Sequence, residues 1–377
     1  MKKLCYVATL PAVVHTFLRG HIQAAAERYE VTVICNSTDA GLLEGLRARL
    51  ILLPIERKPS PWKDLVVFIR LVHLFHREKF NIVHSIMPKS GLLAMAASWL
   101  TRTPVRIHTF TGQVWVTKYG VKRKILKWFD KLVGKFAVFV LADSPSQRDF
   151  LISKKILSGK KIAVIEGGSI CGVNPLRFHP DAMITQAVRS ELNIPQTGKV
   201  IIYVGRLNRD KGVLDLAMAF NKISGTYSDA YLLLVGAEED VSFRQLQQIC
   251  SAAQERLRYI NFTRVPERYM AAANIICLPS YREGFGMTII EAAACGIPAV
   301  ASQIYGIVDA VEDGETGLLF PAKDVDALTK ALVKLISDDG QRLQMGNAAR
   351  ERVLKKFASE KITNGLLKLY ERCLKQK

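Results

Sequence analysis

Short apolar runs alternate with amphipathic helical patterns along the first half of the chain, and this alternation constrains the fold more than any other feature. Residues 62–77, for example, repeat Leu65, Ile69, Val72 and Phe75 at helical spacing. Strands that alternate with helices form a parallel sheet with helices on both faces, and ligands bind at the carboxyl ends of its strands. The predicted strands are residues 4–8, 31–35, 50–53, 82–84, 105–109, 138–142 and 162–165.

The length of 377 residues predicts two domains, each large enough for its own core. A glycine- and proline-rich stretch over residues 165–180 is typical of an interdomain linker, and we place the boundary there. The predicted domains are residues 1–175 and 176–356, followed by a helical, highly charged tail. In the second domain the predicted strands are residues 199–204, 231–236, 260–262 and 274–278.

The net charge of +19 requires an anionic partner. Nucleic acid, an anionic membrane surface and a phosphorylated substrate each satisfy this requirement, but the chain contains no nucleic-acid-binding motif, so we expect no nucleic-acid partner. No apolar stretch approaches the ~20 residues of a membrane-spanning helix, and the N-terminus is predicted to be a buried strand rather than a signal peptide. Seven cysteines without a Cys-x-x-Cys pair are typical of reduced thiols and predict a cytoplasmic location.

The most informative stretch lies in the second half, where a predicted strand is followed by a glycine-rich turn and a helix. Gly284 and Gly286 lie in the turn, where the backbone can approach a ligand and helix N-terminal amides can bind an anion. Glu283 precedes the helix and Glu291 lies inside it. Two carboxylates beside anion-binding amides suit a ligand with both hydroxyls and phosphates, such as a nucleotide sugar.

A basic loop follows the predicted strand 199–204. Arg206 and Lys211 flank this loop, which ends at a predicted helix start. A planar guanidinium and a compact ammonium beside backbone amides can together hold a diphosphate.

Glu283 and Glu291 are separated by seven residues that include Gly-Phe-Gly, and Cys-Gly-Ile-Pro follows at the helix end. This pattern resembles the signature of the retaining group 1, or family 4, glycosyltransferases. The resemblance extends over the whole chain and is strongest over residues 200–320. It implies the α/β fold class called GT-B, with two Rossmann-like doubly wound domains facing a central cleft. It also implies that the C-terminal helix, residues 357–377, crosses back to the N-terminal domain.

The resemblance assigns roles to individual residues of the second domain. Arg206 and Lys211 would neutralise the departing diphosphate, Glu283 would bond the hydroxyls of the donor sugar, and Glu291 would accept hydrogen bonds from the ribose. The loop at Val265 would pack on the base through its backbone. The remaining predicted donor contacts are Gly205, Gly284, Phe285, Gly286 and Met287. No Asp-x-Asp lies in a suitable loop, so no cofactor and no essential metal are expected.

The first domain departs from the family pattern in two loops. The loop at residues 9–16 lacks the glycine pair that faces the donor phosphates in relatives, so we assign His15 and its neighbours no role. The family histidine normally precedes Gly112, where this chain has Thr111, and the nearest histidine is His108. His108, Thr111 and Gly112 are the possible donor or acceptor contacts of this loop. Whether His108 or Thr111 takes the role of the family histidine, or His108 is only a core residue, stays open.

Another loop in the first domain offers a possible anion contact. Lys89 opens a helix directly after a strand, so it can bind an anion there or act as an ordinary surface lysine beside a helix cap.

Residues 119–136 are predicted to form one strongly basic amphipathic helix. Ile125, Trp128, Phe129, Leu132 and Phe136 form an apolar stripe along it. The helix can pack on the sheet with a solvated basic face, or it can lie on anionic lipid and contact a membrane-anchored acceptor. The residues predicted for this contact are Lys122, Arg123, Lys124, Lys127, Trp128 and Lys131.

These features and the family resemblance together predict a hexosyltransferase that moves a hexose or N-acetylhexosamine from a UDP-sugar to a polyprenyl-diphosphate-linked saccharide. Retention of the anomeric configuration is implied by the resemblance alone. The reaction would belong to O-antigen or capsule synthesis at the inner face of the plasma membrane. The alternatives are a lipid A-core acceptor, a soluble acceptor, or a GT-B nucleotide-sugar epimerase, which needs no acceptor.

Overall fold

The computed structural model describes residues 1–37 and 39–376 and divides them into two compact units. Unit 1 contains Met1–Gly172 together with the chain from Ser359 onward, and unit 2 contains Val173–Ala358. The sequence analysis placed these divisions at 175/176 and 356/357. The last residue of the predicted tail, Lys377, lies outside the described residues.

Unit 1 is built on a seven-stranded parallel sheet with the order β3-β2-β1-β4-β5-β6-β7. The chain moves outward from β1 to one edge and returns past β1 to build the other side, so the sheet is doubly wound, as predicted. The strands are β1 (Lys2–Val7), β2 (Tyr29–Cys35), β3 (Ala48–Leu52), β4 (Ile82–Ile86), β5 (Val105–Phe110), β6 (Phe139–Ala142) and β7 (Ile162–Ala163).

Helices cover both faces of this sheet because its central strands are apolar on both sides. On β1, Leu4 and Tyr6 point into one core, and Cys5 and Val7 point into the other. The helices are α1 (Pro11–Val13), α2 (Arg19–Ala25), α3 (Pro61–Glu78), α4 (Pro88–Leu100), α5 (Gly120–Phe136) and α6 (Pro145–Ser153). A π-helical turn at Val14–Leu18 joins α1 to α2, and short 3₁₀ turns occur at Ala40–Leu43, Val114–Thr117 and Gly159–Lys161.

The buried face of α3 differs from the predicted one. Val67 and Leu71 pack into the core together with Phe75, whereas Leu65 and Ile69 of the predicted stripe are exposed. The helix carries two apolar stripes, and helical spacing alone does not show which of them meets the sheet.

The same correction applies to α5. Its buried positions are Asp130, Val133 and Gly134, while Ile125 and Trp128 of the predicted stripe are exposed, Trp128 by 55%. Since α4 packs between α3 and α5, both outward apolar stripes belong to the helix layer on one face of the sheet.

Unit 2 is a six-stranded parallel sheet with the order β10-β9-β8-β11-β12-β13. The prediction of a strand at residues 260–262 is wrong, because β10 ends at Ile260 and Phe262 is exposed. The two strands β12 and β13 were not predicted. The strands are β8 (Lys199–Val204), β9 (Ala230–Val235), β10 (Leu257–Ile260), β11 (Ile275–Leu278), β12 (Ala299–Ser302) and β13 (Gly317–Phe320).

Helices again cover both faces of this second sheet. They are α7 (Ala182–Glu191), α8 (Val213–Ser224), α9 (Phe243–Ile249), α10 (Pro266–Ala271), α11 (Met287–Ala294), α12 (Ile307–Ala310), α13 (Val325–Ser337) and α14 (Asp339–Lys356). Two 3₁₀ turns lie at Arg209–Lys211 and Ser251–Arg256.

The C-terminal helix α15 (Ser359–Lys375) packs in the core of unit 1. Tyr370 is buried, its hydroxyl lies 2.6 Å from Nδ1 of His84, and it donates a hydrogen bond of 3.1 Å to the hydroxyl of Tyr6. Nδ1 of His21 lies 2.9 Å from the hydroxyl of Thr363. Burial lowers the pKa of His84 to about 3, so this network is neutral and attaches the helix to the sheet by hydrogen bonds rather than by charge.

The net charge is divided unevenly between the units. Unit 1 contains 32 Lys and Arg against 13 Asp and Glu, whereas unit 2 contains 21 of each. The entire excess of +19 therefore belongs to unit 1. Within the described part of the chain, no helix has the length and apolar content needed to cross a membrane.

Candidate active site

The loop that follows β8 places two cations at the carboxyl edge of the second sheet. The guanidinium of Arg206 forms an ion pair with Glu239, and Asn208 donates a hydrogen bond of 2.5 Å to the same carboxylate. Asn208 also caps the following turn, because its side-chain oxygen accepts a hydrogen bond of 2.9 Å from the backbone N–H of Lys211. This cap fixes the direction in which Lys211 leaves the backbone.

Lys211 reaches the loop that follows β11, the neighbouring strand. Its ammonium donates to Glu283, and the Ser280 hydroxyl donates to the same carboxylate oxygen at 2.9 Å. The side chains of Lys211 and Glu283 are 24% and 14% exposed, so the pair is largely shielded from water. Because β8 and β11 are adjacent in the sheet, two loops that are 72 residues apart in sequence meet at one edge.

Further contacts hold these two loops together. Arg282 donates to Asp210 at 3.0 Å, and the Tyr281 hydroxyl donates to Asp215 at 2.8 Å. Gly212 adopts a positive φ of 68°, and a Cβ at this position would lie 2.0 Å from the carbonyl oxygen of Pro279. Only glycine allows the two loops to approach this closely.

The helix α11 begins at Met287 and contains Glu291, the second glutamate of the motif. Gly286, with φ of 88°, is its N-cap, so the amides of the first turn are presented at the same sheet edge. Glu291 lies one turn further along and is partly exposed, yet protein atoms surround its carboxyl. This burial raises the pKa of Glu291 to about 8, and nearby Glu267 raises it further while Arg177 opposes the shift.

The loop before α10 lies near Glu291, since Arg177 and Glu267, which both interact electrostatically with Glu291, contact each other beside this loop. Val265 is the N-cap residue of α10 and is exposed, and Arg177 bonds both the Arg264 carbonyl at 2.7 Å and Glu267 at 2.8 Å. A flat ring can pack on the exposed backbone beside Val265, and hydroxyls on a group attached to that ring can donate hydrogen bonds to the carboxyl of Glu291.

Phe285 and Met287 occupy different environments within the glycine-rich turn. Phe285 is only 2% exposed and packs edge-on against Phe357 at 5.1 Å between ring centroids. It is a core residue, so only its backbone can reach a ligand. Met287 is partly exposed at the start of α11.

In unit 1, His108 is fully buried, and its Nδ1 lies 2.9 Å from the hydroxyl of Ser85. Burial lowers its pKa to about 3, so the ring is neutral. A Cβ on Gly91 would lie 2.4 Å from the ring, which shows how closely α4 covers it. These are the contacts of a core histidine. Thr111 and Gly112 follow the end of β5, where Thr111 is partly exposed.

Lys89 is already engaged by protein groups. Its ammonium lies 2.6 Å from a carboxylate oxygen of Asp64 and donates to the carbonyl of Lys58 at 2.6 Å. An anion at this position would have to compete with Asp64.

The basic face of α5 is solvated over most of its length. Lys122, Arg123, Lys124 and Lys131 are exposed, whereas Lys127 is partly covered and lies 5.7 Å from the centre of the Trp115 ring. Desolvation lowers the pKa of Lys127, and the neighbouring cations lower it further. Exposed Trp128 lies beside this basic face.

The structure adds three polar groups that the sequence analysis missed, namely Asn208, Glu239 and Ser280. Asn208 carries a capping signal three residues before Lys211, which could have been recognised, whereas Glu239 lies in an ordinary acidic loop after β9. Among the described residues, no three His, Cys, Asp or Glu side chains are grouped as a metal site would require. The arrangement presents two cations whose present partners are carboxylates, so a polyanion can replace those partners.

Two family models match the chain. One, described as glycosyl transferases group 1, matches residues 185–352, and the other, described as a glycosyl transferase 4-like domain, matches residues 14–168.

Curated relatives extend over most of the chain. It is 29% identical to the capsular polysaccharide biosynthesis glycosyltransferase CapM of Staphylococcus aureus, over 95% of this chain and 94% of that protein. It is 30% identical to a D-inositol 3-phosphate glycosyltransferase of Corynebacterium diphtheriae, over 73% and 67%. It is 25% identical to the Escherichia coli UDP-Gal:alpha-D-GlcNAc-diphosphoundecaprenol alpha-1,3-galactosyltransferase, over 91% and 89%.

Solved structures show the same fold. HepE of Anabaena, determined in complex with UDP-glucose, superposes with a TM-score of 0.84 at 18% identity and covers 99% of this chain and 100% of that one. The predicted fold class, GT-B with two Rossmann-like doubly wound domains, is thereby confirmed.

Proposed function

Because this chain belongs to the group 1 glycosyltransferases, we propose that it transfers a sugar from a UDP-sugar to a polyprenyl-diphosphate-linked saccharide in surface polysaccharide synthesis. The observation that carries the proposal is the contact between Lys211 and Glu283 at the carboxyl edge of the second sheet, with Arg206 in the same loop. It unites a cation suited to a diphosphate with a carboxylate suited to sugar hydroxyls.

The donor would exchange partners within this network. The diphosphate takes the place of Glu239 and Glu283 beside Arg206 and Lys211, which releases the Glu283 carboxylate to accept hydrogen bonds from the sugar. Negative charge develops on the diphosphate as the bond to the sugar breaks, and fixed cations and helix amides stabilise that charge without rearranging. Arg206, Lys211 and the first turn of α11 are the groups assigned to this task.

The nucleoside would lie toward Glu291 and the Val265 loop. The ribose hydroxyls donate to the Glu291 carboxyl, and the base packs on the exposed backbone beside Val265. The structures of HepE in complex with UDP and with UDP-glucose support a uridine nucleotide for a protein of this fold. Retention of the anomeric configuration and independence from metal are part of the proposal, on the strength of the family resemblance.

The acceptor is inferred from relatives and from charge. The names of two relatives refer to capsule synthesis and to a diphosphoundecaprenol acceptor. Unit 1 carries the whole positive excess of the chain, and the exposed basic face of α5 with Trp128 is suited to anionic lipid. We place the enzyme at the inner face of the plasma membrane, in peripheral contact through α5. A lipid A-core or soluble acceptor remains the alternative.

Donor turnover tests this assignment. Purified enzyme is incubated with UDP-, GDP- and dTDP-sugars, with and without chelator, and with and without a polyprenyl-diphosphate saccharide in detergent. We expect nucleotide release from one UDP-sugar, enhancement by the lipid acceptor, no effect of chelator, and loss of activity in Glu283→Ala. Glu315→Ala, at an exposed loop of unit 2, is the matched control. Full activity of Glu283→Ala would refute the site assignment, and dependence on a GDP- or dTDP-sugar would refute the donor.

A further inference from the structure

The outward face of α3 is apolar, whereas the solvent-facing side of a surface helix is normally polar. Trp62, Leu65, Val66 and Ile69 follow one another at helical spacing on this face, and all four are exposed, Trp62 by 81% and Ile69 by 58%. The opposite face, with Val67 and Leu71, already packs on the sheet, so the outward stripe does not contribute to the core. A contiguous exposed apolar stripe marks a surface that is covered by a partner.

A groove lies beside this stripe, between α3 and the end of the edge strand β3. It has a volume of about 430 Å³. Its apolar walls include Ile51, Leu53 and Leu74, and its basic side chains are Arg70, His73 and Arg77. Within the described residues, no carboxylate pairs with Arg70 or His73, whereas Arg77 contacts Glu78. The groove thus offers an apolar surface beside the guanidinium of Arg70, with His73 and the Glu78-paired Arg77 next to it.

We propose that the outward face of α3 and this groove form a docking site for anionic phospholipid. The acyl region contacts Trp62, Val66 and Ile69, and the headgroup phosphate contacts Arg70, His73 and Arg77. This combination of an apolar stripe and a basic margin is what an interfacial helix needs at an anionic bilayer. The inference extends the proposed membrane association, on which it rests, to a second element besides α5.

Charge argues for lipid against a second copy of the chain. Unit 1 holds the entire excess of +19, so two copies meeting through α3 would bring like charges together. An anionic surface gains from the same charge. Since α3 and α5 both pack against α4, their exposed stripes belong to one helix layer of unit 1.

Vesicle binding of the full-length enzyme tests the site. Vesicles of phosphatidylcholine, with or without phosphatidylglycerol, are sedimented with wild type, Trp62→Ser/Ile69→Ser and Arg70→Gln/Arg77→Gln. Each double variant should weaken binding to the anionic vesicles at least about fivefold. The matched control Met183→Ser/Leu343→Ser removes two exposed apolar side chains from unit 2 and should bind like wild type. Unfolding temperatures establish that all variants are folded.

Two further measurements complete the test, namely the depth to which tryptophan enters the bilayer and the oligomeric state of the enzyme. Lipids brominated on the acyl chain should quench tryptophan fluorescence in wild type and less in Trp62→Phe. Unchanged vesicle binding of the α3 variants would overturn the inference, as would a dimer in sedimentation velocity that Trp62→Ser/Ile69→Ser converts to monomer.

A parallel α5 variant separates the two proposals. If Lys122→Gln/Lys124→Gln/Lys131→Gln loses vesicle binding and the α3 variants retain it, the α3 site is refuted while the proposed function stands. If only the α3 variants lose binding, the α3 site is supported and the contact through α5 is refuted. Donor turnover, measured separately in detergent, reports on the catalytic assignment alone.

Discussion

The buried carboxyl of Glu291 makes the affinity for the donor depend on pH. Burial raises its pKa to about 8 from an ordinary value of 4.5, so in the free enzyme the group is mostly protonated at pH 7. A ribose that donates hydrogen bonds to both carboxyl oxygens favours the ionised form. Binding of a UDP-sugar should therefore release a proton from Glu291 and become tighter as the pH rises toward 8 and above.

The magnitude follows from the ionised fraction. With a pKa of about 8, roughly one molecule in eleven is ionised at pH 7 and about one in a hundred at pH 6. If only the ionised form binds, the dissociation constant falls about tenfold per pH unit below 8 and levels off above pH 9. This is an upper limit, because a neutral carboxyl still accepts a hydrogen bond through its carbonyl oxygen.

Titration calorimetry with UDP-glucose between pH 6 and pH 9 measures this effect, since the diphosphate of the ligand does not titrate in that range. Repeating each titration in two buffers of different ionisation enthalpy counts the released protons. Glu291→Gln should bind with an affinity independent of pH and release none. A wild-type affinity that stays constant across the range without proton release would refute the reasoning.

Two further predictions concern the loops at the sheet edge. Lys211→Met should lower kcat by about 10²–10³-fold, because the departing diphosphate loses a fixed cation. The control Lys222→Met breaks an exposed ion pair with Asp326 and should leave steady-state kinetics unchanged. Equal losses of kcat in both variants would contradict the assignment. Gly212→Ala should lower the unfolding temperature and the activity together, because the added Cβ would clash with the Pro279 carbonyl and the residue has a positive φ. The control Gly225→Ala, whose added Cβ would have no atom within 4 Å, should leave the unfolding temperature unchanged or raise it. An unfolding temperature of Gly212→Ala equal to that of wild type would show that the loops can separate.

The sheet of unit 1 and the strands β8, β9 and β11 of unit 2 could be predicted because these strands are nearly continuous apolar runs, whereas β10 was misplaced and β12 and β13 were missed. Lys199–Val204, for example, has the predicted bounds. The orientation of the helices could not be predicted from the same signal. On α3 both faces carry apolar residues, and the decision between Val67 and Ile69 as the core residue depends on the layer that α3 forms with α4. The contact between α3 and α4 joins two segments that are separated in sequence by a strand. Helical spacing within α3 contains no information about such a contact.

The candidate site shows a similar division. Glu283 and Lys211 were each identified from local patterns, since each follows an apolar strand and flanks a helix start. Their contact depends on the adjacency of β8 and β11, which is a property of strand order. Glu239 was missed because its neighbours, Glu238 and Asp240, make it look like part of a solvated acidic loop. Its importance appears only through its ion pair with Arg206.

The return of the chain to unit 1 through α15 has a consequence for synthesis on the ribosome. Unit 2 is one continuous segment and can complete its core as soon as it emerges, whereas unit 1, although it is begun first, lacks α15 until residues 359–375 have been added. Until then Tyr6 and His84 have no Tyr370 to bond, and the apolar surface that α15 covers stays open. Unit 1 therefore matures after unit 2, and a nascent chain that stops before Ser359 releases a finished unit 2 attached to an unfinished unit 1.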